Sequence, residues 1–274
     1  MNNLFSRKPT INYIEINGVR LFTKHWQGRK EPVVLLHGGL SSTDSFDYKL
    51  TPYLKGHEIF GYDRTAHGRS EFSEGYYHFE YQVKECISYL EKVVKKPSHL
   101  IGWSDGAIIA LIVAISRPEL VKSIVSIGGN FHWDCGLSLN PADISITEED
   151  KAKWINTSPI PVEKLPEIIN KAFEVWQKEP NLTKSDLAKI QCPVLVLASD
   201  DEVFTTAHTI ELYESLPDGR LAIVPGTSHS LPKEKPELVG ALINDFYNNL
   251  NFPQTRTPMR RKEQIEKIYG VHNN

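Results

Sequence analysis

Cysteine is scarce. Only Cys86, Cys135 and Cys192 occur in 274 residues, and no two fall in a C-x-x-C pair. That excludes a disulfide scaffold and a paired-cysteine metal or redox motif, and an odd, sparse count fits a reducing compartment. Long apolar runs are also missing. None reaches the roughly 18 residues of a membrane span. The opening stretch, 1–9, has no apolar signal region. There is no basic excess either: 31 Lys+Arg stand against 34 Asp+Glu, a formal charge of −3. A dedicated nucleic-acid binder would show the opposite balance. Internal repeats and low-complexity tracts are absent. The expectation is a cytoplasmic protein with neither a membrane nor a nucleic acid as partner.

What is present is enough apolar sequence, 40% of residues with 24% charged, to build a sizeable core. Residues 11–16 and 19–26 alternate and flank Asn17-Gly18, a strong hairpin signal. Six short, continuously apolar runs follow, at 32–36, 58–62, 98–102, 123–127, 193–197 and 220–224. Such runs mark strands covered on both faces. Helical patterns lie between most of them, at 76–94, 105–117 and 206–216. The expected fold is α/β: a doubly wound, mostly parallel, eight-stranded sheet. Residues 131–186 carry no buried-strand run, and Pro141, Pro159, Pro161, Pro166 and Pro180 break their helical patterns. A connection of that length should have its own structure. The expectation is a helical cap at 131–186, a core at 1–130 plus 187–250, and a tail helix within 251–274. The tail's Arg256, Arg260, Arg261, Lys262 and Lys267 would form a solvated face or a dimer contact.

Gly102-Trp103-Ser104-Asp105-Gly106 matches G-x-S-x-G, and an apolar strand leads in while an apolar helix leads out. That context is a nucleophile elbow, which would hold the Ser104 hydroxyl exposed on a strained backbone. A serine needs a base, and the base needs an orienting acid. The chain supplies both after later strands, in the order such folds use. His229 ends Gly226-Thr227-Ser228-His229. Ahead of it, Ser199-Asp200-Asp201-Glu202-Val203 offers three adjacent acids. Asp201, third after Ala198 and two before Val203, is the expected acid, with Asp200 the alternative. His37-Gly38-Gly39-Leu40 would give an oxyanion donor from the Gly39 backbone N–H, paired with that of Asp105. His37 reads as a brace for this loop. Leu40, Trp103, Phe131, His132 and Trp133 are the expected pocket residues.

These residues resemble the α/β-hydrolase superfamily over about 11–250. His37-Gly38-Gly39, Asp63-Arg64-x-x-His67-Gly68-Arg69-Ser70, the elbow, the acid loop and Ser228-His229 stand in the family's order. Ala66 departs from it, standing where a glycine is usual. The resemblance implies a Ser104–His229–Asp201 triad, with no metal and no cofactor. A serine at the elbow differs from the aspartate of dehalogenases and epoxide hydrolases. The elbow is similar to that of the valacyclovir-hydrolase-like (biphenyl-hydrolase-like) branch, some members of which cleave amino-acid esters. The expected function is hydrolysis of a small-molecule carboxylic ester through an acyl-enzyme, by a monomer or homodimer. Carbon–carbon bond hydrolysis, perhydrolysis and a non-catalytic small-molecule receptor stay open. Asp105 poses a further alternative. Its carboxylate beside an oxyanion is repulsive, so it turns to a basic residue or faces the pocket and pairs with a substrate ammonium.

Overall fold

The alternating pattern at the start becomes a hairpin. β1 (Thr10–Ile16) and β2 (Val19–Trp26) pair antiparallel with Ile16 opposite Val19. Asn17 and Gly18, both at positive φ (52° and 82°), make the turn. The apolar runs become β3 (Lys30–Leu36), β4 (His57–Tyr62), β5 (Ser98–Trp103), β6 (Val121–Ile127), β7 (Val194–Asp201) and β8 (Gly219–Ser228). The computed structural model describes residues 7–47, 49–138 and 146–270. Residues 1–6 and Pro141, used above, lie outside the described residues.

The eight strands form one sheet in the order β1-β2-β4-β3-β5-β6-β7-β8. β2 runs antiparallel to β4, and every pair from β3–β4 onward is parallel. The order reverses around β3, so β3 and β5 are neighbours. That puts the loops after both at one carboxyl edge, where open α/β sheets place their sites.

The helices are α1 (Phe79–Tyr89), α2 (Asp105–Ser116), α3 (Glu148–Thr157), α4 (Leu165–Trp176), α5 (Lys184–Leu187), α6 (Thr206–Ser215), α7 (Leu231–Glu234), α8 (Pro236–Asn248) and α9 (Lys262–Tyr269). Two apolar cores lie on the two faces of the sheet. Val83 and Tyr89 of α1, Ile108, Ile109 and Leu111 of α2, and Leu212 of α6 join one. Val239, Ile243 and Phe246 of α8 join the other. Helix α2 is buried almost all round, as its unbroken Ala-Ile-Ile-Ala-Leu-Ile-Val-Ala run requires.

The stretch between β6 and β7 holds α3, α4 and α5. Helix α3 begins with a reciprocal capping box between Thr147 and Asp150. Four of the tail's five basic residues, Arg256, Arg260, Lys262 and Lys267, are exposed, and the tail also packs on the core. Arg261 pairs with Asp218 at 3.2 Å, the Arg260 guanidinium sits 4.0 Å from the Tyr213 ring centroid, and Ile265 is buried. Two of its five basic residues therefore dock α9 on α6 and the start of β8. No helix among the described residues is long and apolar enough to cross a membrane.

Candidate active site

Ser104 joins β5 to α2 at φ 55° and ψ −120°. A non-glycine residue there is strained by about 1–3 kcal/mol, which the surrounding packing must hold. The flanking glycines explain how. A Cβ on Gly106 would lie 1.9 Å from the Leu36 carbonyl oxygen, and one on Gly102 would lie 2.2 Å from that of Gly106. No side chain fits at either position, so the elbow packs directly on β3. The Ser104 N–H donates to the Ile127 carbonyl at 2.9 Å. Its side chain lines a cavity of about 320 Å³.

His229 lines the same cavity. It follows β8 on a loop fixed from two sides. The Ser228 N–H and hydroxyl donate to Glu234, and the Trp103 indole N–H donates to the His229 carbonyl at 2.8 Å. Gly128 opens room for the ring, since a Cβ there would lie 3.0 Å from Cε1 and Nδ1.

The acid is the main correction. The His229 Nδ1 hydrogen bonds to Glu202, not to the expected Asp201. Strand β7 runs on past Ala198 through Asp201, which sits exposed opposite Ser228. The alternative, Asp200, points elsewhere and accepts the Gly226 and Thr227 N–H groups at 2.8 and 3.1 Å. Counting from Ala198 fails because the strand extends three residues further. The longer glutamate, first beyond it, bridges back to the ring. Its side chain is only 3% exposed, and Ser199 Oγ and the Val203 N–H also donate to it. Burial pushes the carboxyl up, but the His229 hydrogen bond and charge, with the other donors, outweigh it and leave it below its ordinary value. No hydrogen bond joins Ser104 Oγ to His229 among the described residues. Such contacts are often loose without substrate.

The loop after β3 carries Gly39, whose backbone N–H the sequence offers as an oxyanion donor. Fully buried His37 donates from Nδ1 to the Gly38 carbonyl at 2.8 Å and accepts the Arg64 N–H on Nε2 at 3.0 Å. Burial and then the Arg64 charge push its imidazolium far below the ordinary range, so it is a neutral brace. Arg64, which sequence reasoning did not single out, donates a second bond to the Gly38 carbonyl at 2.8 Å. The Gly38 carbonyl and the Gly39 N–H belong to one trans peptide, so fixing the first aims the second the opposite way. Gly39 and Asp105 both line the cavity. Arg64 also lies 3.6 Å from the Asp105 carboxylate, which accepts the Trp176 indole N–H at 3.0 Å. Burial raises the Asp105 carboxyl, opposed by Arg64 and Trp176. The available signal was an arginine two residues past the apolar run at 58–62.

Of the expected pocket residues, Leu40 and Trp103 line the cavity, and Phe131, His132 and Trp133 do not. Phe131 turns into the core and stacks on His208 at 4.4 Å. His132 accepts the Asp134 N–H, and Trp133 is 42% exposed. The chain turns at Gly128-Gly129, and its next contribution to the wall comes from Asn130, Cys135 and Leu137, with Trp176 from α4 and Val203 and Phe204 from the acid loop. Ala66 adopts φ 60°, the left-handed conformation its family position favours for glycine. Among the described residues, no group of three or more His, Cys, Asp or Glu stands together in a way that could hold a metal ion.

The fold and the elbow define a class. Residues 33–242 match the model of the Alpha/beta hydrolase family, and the chain belongs to that family. It is therefore an enzyme of hydrolytic chemistry, in the branch of the biphenyl-hydrolase-like serine hydrolases. It is 26% identical to serine hydrolase BPHL of Mus musculus over 88% of each chain. It is also 26% identical to the uncharacterized hydrolase YugF of Bacillus subtilis, over 86% of this chain and 97% of that one. A crystal structure of a membrane phospholipase A shares the fold, with a TM-score of 0.76 at 18% identity, over 90% of this chain and 88% of that one.

Proposed function

We propose that this hydrolase cleaves a small-molecule carboxylic ester through an acyl-enzyme. Ser104 is the nucleophile, His229 the base and then the acid, and Glu202 the orienting carboxylate. The observation that carries the reading is the hydrogen bond of His229 Nδ1 to buried Glu202 at a cavity Ser104 also lines. That bond leaves Nε2 as the nitrogen to take the Ser104 proton. As Oγ attacks the carbonyl carbon, negative charge builds on the carbonyl oxygen, and the Gly39 and Asp105 backbone N–H groups receive it. Collapse expels the alcohol, which takes the proton from Nε2. Water then attacks the acyl-enzyme by the same route and frees the acid. Residues 131–186 act as a cap over the core of 1–130 and 187–250. The Trp176–Asp105 bond, which ties α4 to the elbow, supports this. Branch membership supports a serine mechanism.

Asp105 is already held by Trp176 and Arg64, and Arg64 offsets its charge beside the oxyanion. We therefore expect no preference for aminoacyl esters. Paired esters with and without an α-amino group should give the same kcat/KM ratio in wild type and Asp105→Asn. The central test is labelling by a fluorophosphonate alongside a chromogenic series from acetate to octanoate. One label per chain, abolished in Ser104→Ala, with ester turnover, supports the reading. Cleavage of a vinylogous diketone without ester turnover would move it to carbon–carbon hydrolysis. Neither labelling nor turnover would leave a receptor.

A further inference from the structure

A second cavity, of about 560 Å³, lies beside the one that holds Ser104. Leu40 lines both. Helices α3 and α4 wall it on one side, and the loops after β3 and β4 on the other. Three lysines reach it from three separate parts of the chain: Lys49 from the loop after β3, Lys153 from α3 and Lys233 from α7. None makes an ion pair among the described residues.

The carboxylates that line the same cavity are already engaged. Buried Lys24 donates to both Asp44 and Asp47, and Arg69 adds a second cation on Asp44 at 2.8 Å. Asp150 accepts the Thr147 N–H and hydroxyl in the α3 capping box. The three lysines share the wall of this cavity, each with its side chain exposed to solvent. Lys233, whose Nζ lies 4.6 Å from the Trp103 ring centroid, has its ammonium pushed below the ordinary value by burial and then by the charges of Lys153 and Lys49. Trp103 in turn lines the Ser104 cavity. A substrate anchored at Ser104 that passes Leu40 meets three ammonium groups that form no ion pair among the described residues, with Asp150 close enough only to feel the charge of Lys153. A bound anion would relieve that repulsion.

We infer that the larger cavity is a subsite for a carboxylate that the substrate carries at the end remote from the scissile bond. Lys49, Lys153 and Lys233 would be its specificity residues. This rests on the hydrolase reading of the adjoining cavity and narrows its substrate to an acidic ester.

The test compares matched substrates. On the acyl side, mono-4-nitrophenyl octanedioate is set against 4-nitrophenyl octanoate. On the alcohol side, 4-acetoxybenzoate is set against 4-acetoxybenzamide. In low salt, kcat/KM for the anionic member of one pair should exceed that of its neutral partner by about tenfold, the scale of two or three partly solvated ion pairs. The ratio should shrink in 0.5 M NaCl and fall toward one in Lys153→Gln/Lys233→Gln. Ratios at or below one in both pairs, with neutral esters turned over, would overturn the subsite and leave the hydrolase reading standing. If no ester is cleaved and no fluorophosphonate label appears, the hydrolase reading has failed, and calorimetry tests the subsite directly. Tighter binding of octanedioate than of octanoate, lost in the double variant, supports it. Equal binding overturns it.

Discussion

Glu202→Gln keeps the side-chain shape and removes the charge that stabilises the His229 imidazolium. Its effect should resemble loss of the acid from any serine triad, a fall in kcat of about 10³ to 10⁴. Asp201→Asn, on an exposed position opposite Ser228, should stay within about twofold. Steady-state rates of the two variants on one ester decide between the neighbours, and the reverse ranking would remove Glu202 from the triad. Arg64 acts at one remove. It shares the Gly38 carbonyl with His37 and also neutralises buried Asp105. Arg64→Met should lower kcat about 10- to 100-fold with little change in KM, because an oxyanion donor matters most in the transition state. It should also cost about 3–5 kcal/mol of stability, since Asp105 and Glu85 lose their nearby buried cation. Thermal unfolding and kinetics read the two effects separately, and Arg64→Lys should recover part of both.

Helix α1 shows how an element carries a pH dependence that its own residues do not announce. Its buried face includes Glu85, which accepts the Thr65 N–H at 3.3 Å and the Thr65 hydroxyl. Burial raises this carboxyl from 4.5 to about 7, against the pull of Thr65 and Arg64. The folded state therefore holds the proton more tightly than the unfolded chain. The resulting stability is whole below about pH 4.5 and is lost as pH rises to about 7. The loss is about 3 kcal/mol at most. Glu85→Gln keeps an acceptor for Thr65 and cannot ionise. Urea midpoints from pH 4 to 8 should fall less steeply for this variant than for wild type, and parallel curves would contradict the assignment. The start of α1 makes a related point. The pattern suggests a helix from 76, but it begins at Phe79, whose N–H is capped by Glu179 at 2.9 Å. A cap drawn from 100 residues downstream leaves no local trace.

At the scale of the molecule, the sheet was legible because its strands are short apolar runs separated by longer helical patterns, and length rather than period tells the two apart. That Ser104, His229 and the Gly39 loop would meet at one cavity was legible because tight turns after buried strands leave glycines in fixed places. The acid was not, because a strand end is set by pairing with β8 rather than by residue type. The cap wall was not, because the path of 131–138 depends on Phe131 finding His208 in α6. The docking of the tail was not legible either: most of its charges do face solvent, while Arg260 and Arg261 also reach Tyr213 and Asp218. Removing 251–274 would uncover the site of Ile265 and release those two contacts. Burial of one isoleucine and two partly exposed cation contacts together supply about 2–4 kcal/mol. Among the described residues, none beyond 250 lines the Ser104 cavity. The shortened chain should therefore unfold about 4–10 °C lower by calorimetry. It should keep the wild-type kcat and the wild-type elution volume. A shift in elution would instead make the tail a dimer contact, and a lost rate would mean that α6 and β8, once uncovered, no longer hold the acid and histidine loops in register.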